Sequence, residues 1–176
     1  MKEGLRLGLP GMGKNVDDDS RQTLIAEIET AFSDVRRGNG ITLHQARVLD
    51  DYGDQEKQLK AREKDQDSRW QDVPSKTIQD LYDACFFLDA EGFRYYLPAY
   101  MIETLREDRH SGYPVGDWIV EDICRKDRRS DLRLLSESQM RVVAKFVEFV
   151  ADRWDEGWAD AATAAKGLRK FWHQFL

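Results

Sequence analysis

From Ser136 to Leu176, apolar residues recur at helical spacing almost without a break, and any fold of this chain must bury the faces they define. Ser136-Glu-Ser-Gln139 has the form of a capping box, in which a serine and a glutamine each satisfy the other's orphan backbone N–H. It opens a helix with Met140, Val143, Val147, Val150 and Trp154 on one stripe. Val142, Phe146 and Phe149 add a second stripe, so this helix is expected to be central and covered on more than one side. A last helix then carries Trp158, Ala161, Ala165, Leu168, Trp172 and Phe175 at spacings of 3, 4, 3, 4 and 3. Its alanines permit close approach, and antiparallel packing on the preceding helix is the expected arrangement.

Upstream the signals are local. Residues 1–19 read as a flexible arm, rich in glycine and ending in Asp17-Asp18-Asp19. Asp19 or Ser20 can cap a helix from Arg21 to about Val35, with Leu24, Ile28, Ala31 and Val35 inward and Gly38-Asn39-Gly40 as its stop. Thr42 caps a second helix to about Asp51, stopped by Gly53. Asp54 to Asp72 is mainly charged, either a solvated helix or a mobile excursion. Ser75 is expected to cap a helix running to about Phe86.

The densest aromatic block, Phe86 to Met101, reads as a small β-hairpin over about residues 86–97 feeding a helix. Phe86, Phe87 and Leu88 favour a strand, and Phe93, Tyr95 and Leu97 alternate with Arg94 and Tyr96 on the return. Asp89 to Gly92 supplies turn chemistry, and Pro98 suits the first position of a helix over about Ala99 to Asp108. Asp89 and Glu91 could be a paired acid and base with Arg94 as anion clamp, but turn formation explains each of them without a substrate. Asp117 to Cys124 is apolar and of ambiguous type, and Arg125 to Arg133 reads as a second charged excursion.

Composition excludes several classes. The chain has 176 residues and a net charge of −6, with 41% hydrophobic residues, five Trp, eight Phe and six Tyr. That is ample for one core, and the acidity argues against general nucleic-acid binding. No apolar run approaches the roughly 20 residues of a membrane span, and the N-terminus lacks a signal-peptide core, so a cytoplasmic location is expected. Cys85 and Cys124 are expected to be buried free thiols. His44, His110 and His173 are isolated and neither cysteine has a partner at ligand spacing, so neither a metal nor a cofactor is expected.

Two further motifs carry possible chemistry. Gly8-Leu-Pro-Gly-Met-Gly13-Lys14-Asn15 is one residue from a phosphate-binding loop, but Asn15 stands where a hydroxyl should bind magnesium and acidic residues crowd the helix start. Arg125-Lys126-Asp127-Arg128-Arg129 is a basic cluster, and Arg125, Arg128 and Arg129 are candidates to dock phosphate or an acidic face. Glu121, Asp122, Asp127 and Asp131 neutralise much of it, which favours a solvated loop. Phe171 lies off the main stripe of the last helix and is a candidate exposed contact.

Three blocks carry a resemblance to a known family: Ile41 to Gly53, Phe87 to Met101, and Leu135 to Phe149. Over about Leu24 to Val150 the chain resembles an uncharacterised bacterial domain of unknown function, with the middle block the most specific. The resemblance implies a small, largely helical bacterial protein and carries no catalytic residues; the glycine-rich arm and the alanine-rich last helix lie outside the shared region.

The expectation is a mainly α, single-domain helical bundle over residues 20–176 with one small hairpin. The leading functional reading is a non-catalytic protein-interaction module, an immunity- or antitoxin-type partner of a basic protein. The candidate residues are Asp89, Glu91, Arg94, Tyr96, Arg125, Arg128, Arg129 and Phe171. The alternatives are a small hydrolase or nucleotide-binding enzyme using Asp89, Glu91 and Arg94 or the Gly8–Lys14 loop, and an oligomeric scaffold subunit.

Overall fold

The computed structural model describes residues 12–106, 114–153 and 160–176, with side chains from Asp18 onward. The described residues are mainly helical and contain no strand. The α-helices are α1 (Met12–Ala31), α2 (Leu43–Asp50), α3 (Gln55–Arg62), α4 (Ser75–Asp80), α5 (Ala90–Arg106), α6 (Val115–Cys124), α7 (Glu137–Ala151) and α8 (Ala161–Lys170). Short 3-10 helices at Trp70–Asp72, Ala84–Phe87, Asp127–Leu134 and Trp172–Phe175 fill the joints between them.

In the C-terminal third α7 follows its sequence pattern, whereas α8 buries Ala161, Ala164 and Gly167 and leaves Ala165 and Leu168 only partly covered. Ser136 and Gln139 form the capping box, with the Gln139 N–H donating to Ser136 Oγ at 3.2 Å and the Ser136 N–H donating to Gln139 Oε1 at 3.0 Å. Both stripes of α7 are buried, and α7 packs against α1 and α8. Each fully buried apolar side chain on such a helix contributes about 1.5–3 kcal/mol, so Val143, Phe146 and Val147 alone outweigh any local helix preference. The last helix stops at Lys170. Phe171 turns the chain and Trp172, fully buried, opens a 3-10 turn rather than continuing the stripe. Trp154 and Trp158 lie outside the described residues.

The hairpin over residues 86–97 does not form. Ala84–Phe87 is a 3-10 turn, Leu88 is extended, and Asp89 caps a helix, α5, that absorbs the whole aromatic block. Asp89 Oδ1 accepts the Gly92 N–H at 2.8 Å, and the Phe93 N–H closes the first turn on the Asp89 carbonyl at 2.7 Å. The reason is burial. From Gly92 to Leu105 nearly every side chain of α5 is covered, so the helix has no polar face and its periodicity cannot be told from a strand's. Gly92 is required for space rather than for positive φ: a Cβ there would collide with the Ile41 carbonyl oxygen. Pro98 sits about two turns into α5 instead of at its start, so the Arg94 carbonyl loses its helical donor.

Other boundaries differ for local reasons. α1 is already helical at Met12, so residues 12–19 belong to it rather than to an arm, and it ends at Ala31. Thr42 caps α2 in a full capping box with Gln45. At the other end of α2, the Gly53 N–H bonds the Val48 carbonyl and the Tyr52 N–H bonds the Leu49 carbonyl, a Schellman closure. Its left-handed position falls on Tyr52, φ 56°, and Gly53 is needed because a Cβ would strike Val48. The segment 54–72 is ordered. α3 packs on α2, and Trp70 is buried with its indole N–H donating to the Phe32 carbonyl at 2.8 Å. Ser75 is the first residue of α4, not its cap, and α4 ends at Asp80.

Candidate functional site

The sequence-derived candidates separate into three places. At the start of α5, Asp89 is consumed by structure: besides capping Gly92, its Oδ1 accepts the Ile41 N–H at 2.9 Å. Glu91 is exposed beside Gly38, whose φ is +58°. Arg94, half-buried, faces a different region, where its shielded Nε has no hydrogen-bond partner among the described residues. The three therefore do not converge as an acid, a base and an anion clamp. Gly8 to Gly11 lie outside the described residues, while Gly13 and Lys14 fall within α1.

Tyr96 is not a surface contact. It is fully buried in a polar network that the sequence did not reveal. Arg37 donates to Tyr96 Oη at 2.9 Å, to Asp67 Oδ2 at 3.1 Å and to the Asp65 carbonyl at 3.2 Å, while Tyr95 donates to Asp67 Oδ2 at 2.9 Å. Burial pushes both phenols well above the ordinary tyrosine range, and Asp67 adds to the shift, so both stay protonated. Next to it, Asp65 accepts from His44 twice, at the backbone N–H (2.9 Å) and at Nδ1 (2.7 Å). A histidine oriented by a carboxylate is half of an acid–base relay. Here the same carboxylate sits at the first turn of α2 and satisfies an orphan N–H, so capping accounts for it. The charged loop 63–69, which looked solvated, is pulled inward by these two aspartates.

The basic cluster divides in two. Arg128 is 2% exposed and Asp122 is fully buried. The Arg128 guanidinium donates to Asp122 at 3.0 and 3.1 Å, to Asp131 at 2.8 Å, and to the carbonyls of Leu88 (3.0 Å), Cys85 (2.9 Å) and Phe86 (3.4 Å), and it lies 4.4 Å from the centre of the Phe93 ring. Arg128 is thus an internal brace, not a docking residue, because the 3-10 turn at 84–87 leaves carbonyls that only a forked donor can gather. Burial pushes the Asp122 carboxyl up to about 6, against the pull of Arg128 and Arg125. Arg125 and Arg129 remain at the surface, stacked over Phe86 at 4.6 Å and over Phe171 at 4.4 Å. They line a groove of about 550 Å³ between α6 and α8.

A larger groove, about 790 Å³, runs along the seam of α1 and α7. Ala26, Ala31, Val35 and Val142 give it apolar walls, and Asp34, Arg94, Arg141 and the Glu27–Lys145 pair (2.7 Å) supply its charges. A second concavity of about 630 Å³ shares Thr23, Glu27 and Lys145 with it and adds Asp19, Glu148 and Asp152. No group of three or more histidine, cysteine or acidic residues among the described residues is placed to hold a metal. Cys85 and Cys124 are both free thiols, Cys85 buried and Cys124 partly so. No helix among the described residues is long and apolar enough to cross a membrane.

These observations define a mainly helical protein whose polar interior braces its own joints and whose surface, among the described residues, carries grooves along α1 and α7 and between α6 and α8. The chain belongs to a family of unknown function (DUF6714), which matches residues 20–176. The match includes α8, so the shared region is longer than the three sequence blocks indicated. No curated protein and no solved structure matches the chain.

Proposed function

We propose that this is a non-catalytic interaction module, acting in a bacterial cytoplasm as the partner of a basic protein in the manner of an immunity or antitoxin protein. One observation carries the reading: the long α1–α7 groove is open, has apolar walls, and ends among four carboxylates, Asp19, Glu27, Glu148 and Asp152, against two cations, Lys145 and Arg153. A basic segment fits that end, and the net charge of −6 would speed its encounter. In support, the strongest acid–base and charged constellations are committed to bonds inside the fold.

The test is purification of the tagged protein from its native cytoplasm at physiological salt, with mass spectrometry of what remains bound. The expected result is one stoichiometric basic protein, released at high salt. The variant A26W, which fills the groove from the exposed face of α1, and the variant E148K should both lose it at an unchanged melting temperature. A partner retained by both variants, or no basic partner at all, overturns the proposal.

A further inference from the structure

The groove between α6 and α8 has the opposite character. Five cations line it, Arg125, Lys126, Arg129, Lys166 and Lys170, against two carboxylates, Glu121 and Asp160. Arg125 is committed to Asp122 (3.0 Å) and Asp127 (3.5 Å). The other four have no ion-pair partner among the described residues. Of the carboxylates, Asp160 is already occupied, accepting the Thr163 N–H at 3.0 Å and the Thr163 hydroxyl. Unpaired positive charge therefore gathers in one concavity of a chain whose overall charge is negative.

The gathering is built into the packing. Gly167 lets α8 approach the end of α6 so closely that a Cβ there would collide with Cys124 Sγ, and this contact brings Lys166 and Lys170 opposite Lys126 and Arg129. Arg129 is held over Phe171, which in turn packs edge-on against the buried Trp172 at 5.1 Å. Basic residues in the last turn of a helix complement its dipole, which accounts for Lys170 but not for Lys166, a turn earlier in α8. It does not account for Lys126 and Arg129, which come from the segment leading through the 3-10 helix at 127–134 and face α8 across the groove.

We infer that this groove docks an acidic segment of a partner protein. A phosphate site at a helix N-terminus uses free backbone N–H groups, but at the start of α8 the Asp160 carboxylate already takes the Thr163 N–H and repels an anion there, and α6 meets the groove with its C-terminal end, so recognition falls to the side chains. A nucleic acid would run beyond the groove onto a surface of net negative charge, and the aromatic at the rim, Phe171, is already covered by Arg129 rather than free to stack bases. Glutamate or aspartate side chains, each pairing with one ammonium or guanidinium, complement the charge of these cations and fit a groove of about 550 Å³.

The proposal is tested by fluorescence anisotropy of a fluorescein-labelled oligoglutamate peptide titrated with the full chain. Saturable binding at low salt is expected, weakening several-fold at physiological ionic strength. The exposed pair K166E/K170E should weaken it about tenfold or more at an unchanged melting temperature, while K60E/K64E, at the end of α3 and in the turn after it, an equal charge reversal elsewhere, should change it less than about twofold. The variant A26W should bind the peptide normally, which separates this groove from the α1–α7 groove. Absence of binding, equal loss in the α3 control, or tighter binding of an oligothymidylate of equal charge overturns the inference.

Discussion

Replacing Arg128 with methionine is expected to cost about 3–5 kcal/mol of folding stability, because the side chain is removed from buried partners that stay behind. Methionine fills much of the volume but leaves the Asp122 carboxylate without the Arg128 partner in its buried site and the carbonyls of Cys85, Phe86 and Leu88 without that donor. The Phe86 and Leu88 carbonyls are left orphaned at about 1–3 kcal/mol each, while the Cys85 carbonyl keeps the Leu88 N–H at 3.3 Å and Asp122 keeps Arg125 at 3.0 Å, so a loss within this range is the expectation. R128M/D122N removes the buried charge and should recover about 1–2 kcal/mol, but not the whole loss, since the Phe86 and Leu88 carbonyls remain without the Arg128 donor. The pH dependence separates these contributions. In the native protein, Asp122 titrates near 6 when folded against 3.8 as its ordinary value. The folded state thus holds a proton that the unfolded chain releases, and this group's contribution falls as pH rises from about 4 to about 6, then levels. Without Arg128 the carboxyl moves higher, so the decline should extend toward neutral pH in R128M, with a slope of up to about 1.4 kcal/mol per pH unit, and be absent from R128M/D122N. Urea unfolding followed by tryptophan fluorescence across this pH range measures both effects. A loss below about 1 kcal/mol, or parallel pH curves for the single and double variants, would refute the brace.

Three other outcomes are expected. D89A should lose about 1–2 kcal/mol, since one carboxylate oxygen serves both the start of α5 and the Ile41 N–H; urea midpoints at a constant m-value report it. Y52G should raise the melting temperature slightly, because a tyrosine 98% exposed at φ 56° carries left-handed strain of about 1 kcal/mol without burial in return. A fall in melting temperature would contradict this account of Tyr52. Native Cys85 and Cys124 should resist alkylation by iodoacetamide at pH 8 and react fully in urea. Burial holds the Cys85 thiol well above its usual range and pushes Cys124 up to about 12, so neither presents thiolate.

What was legible in the sequence was local. The Ser136–Gln139 box, the Thr42 cap and the stripes of α7 each rest on residues within a few positions of one another, and each appears in the fold. The hairpin was misread because α5 is buried around its circumference: an all-apolar helix and a strand pair write the same aromatic run. Arg128 was misread because its acceptors lie about 40 residues earlier, at carbonyls exposed by a 3-10 turn that no local pattern announces. Asp65 and Asp67 were hidden in a charge-rich segment, where nothing distinguishes two inward aspartates from solvated neighbours. The α6–α8 groove was half visible, as Arg125, Arg129 and Phe171. Its other half, Lys166 and Lys170, joins it only through the Gly167–Cys124 contact.

The start of α5 is clamped from both directions along the chain. Asp89 holds Ile41, which precedes it by 48 residues, and Arg128 reaches back to Leu88 across 40. Neither flank can peel away without releasing the first turn of α5, a helix that packs against both α1 and α6. Local opening is therefore coupled to global opening. Amide exchange near residues 90–93 should follow the global unfolding free energy rather than a smaller fraying energy. Truncation from either side should abolish the fold outright instead of trimming it.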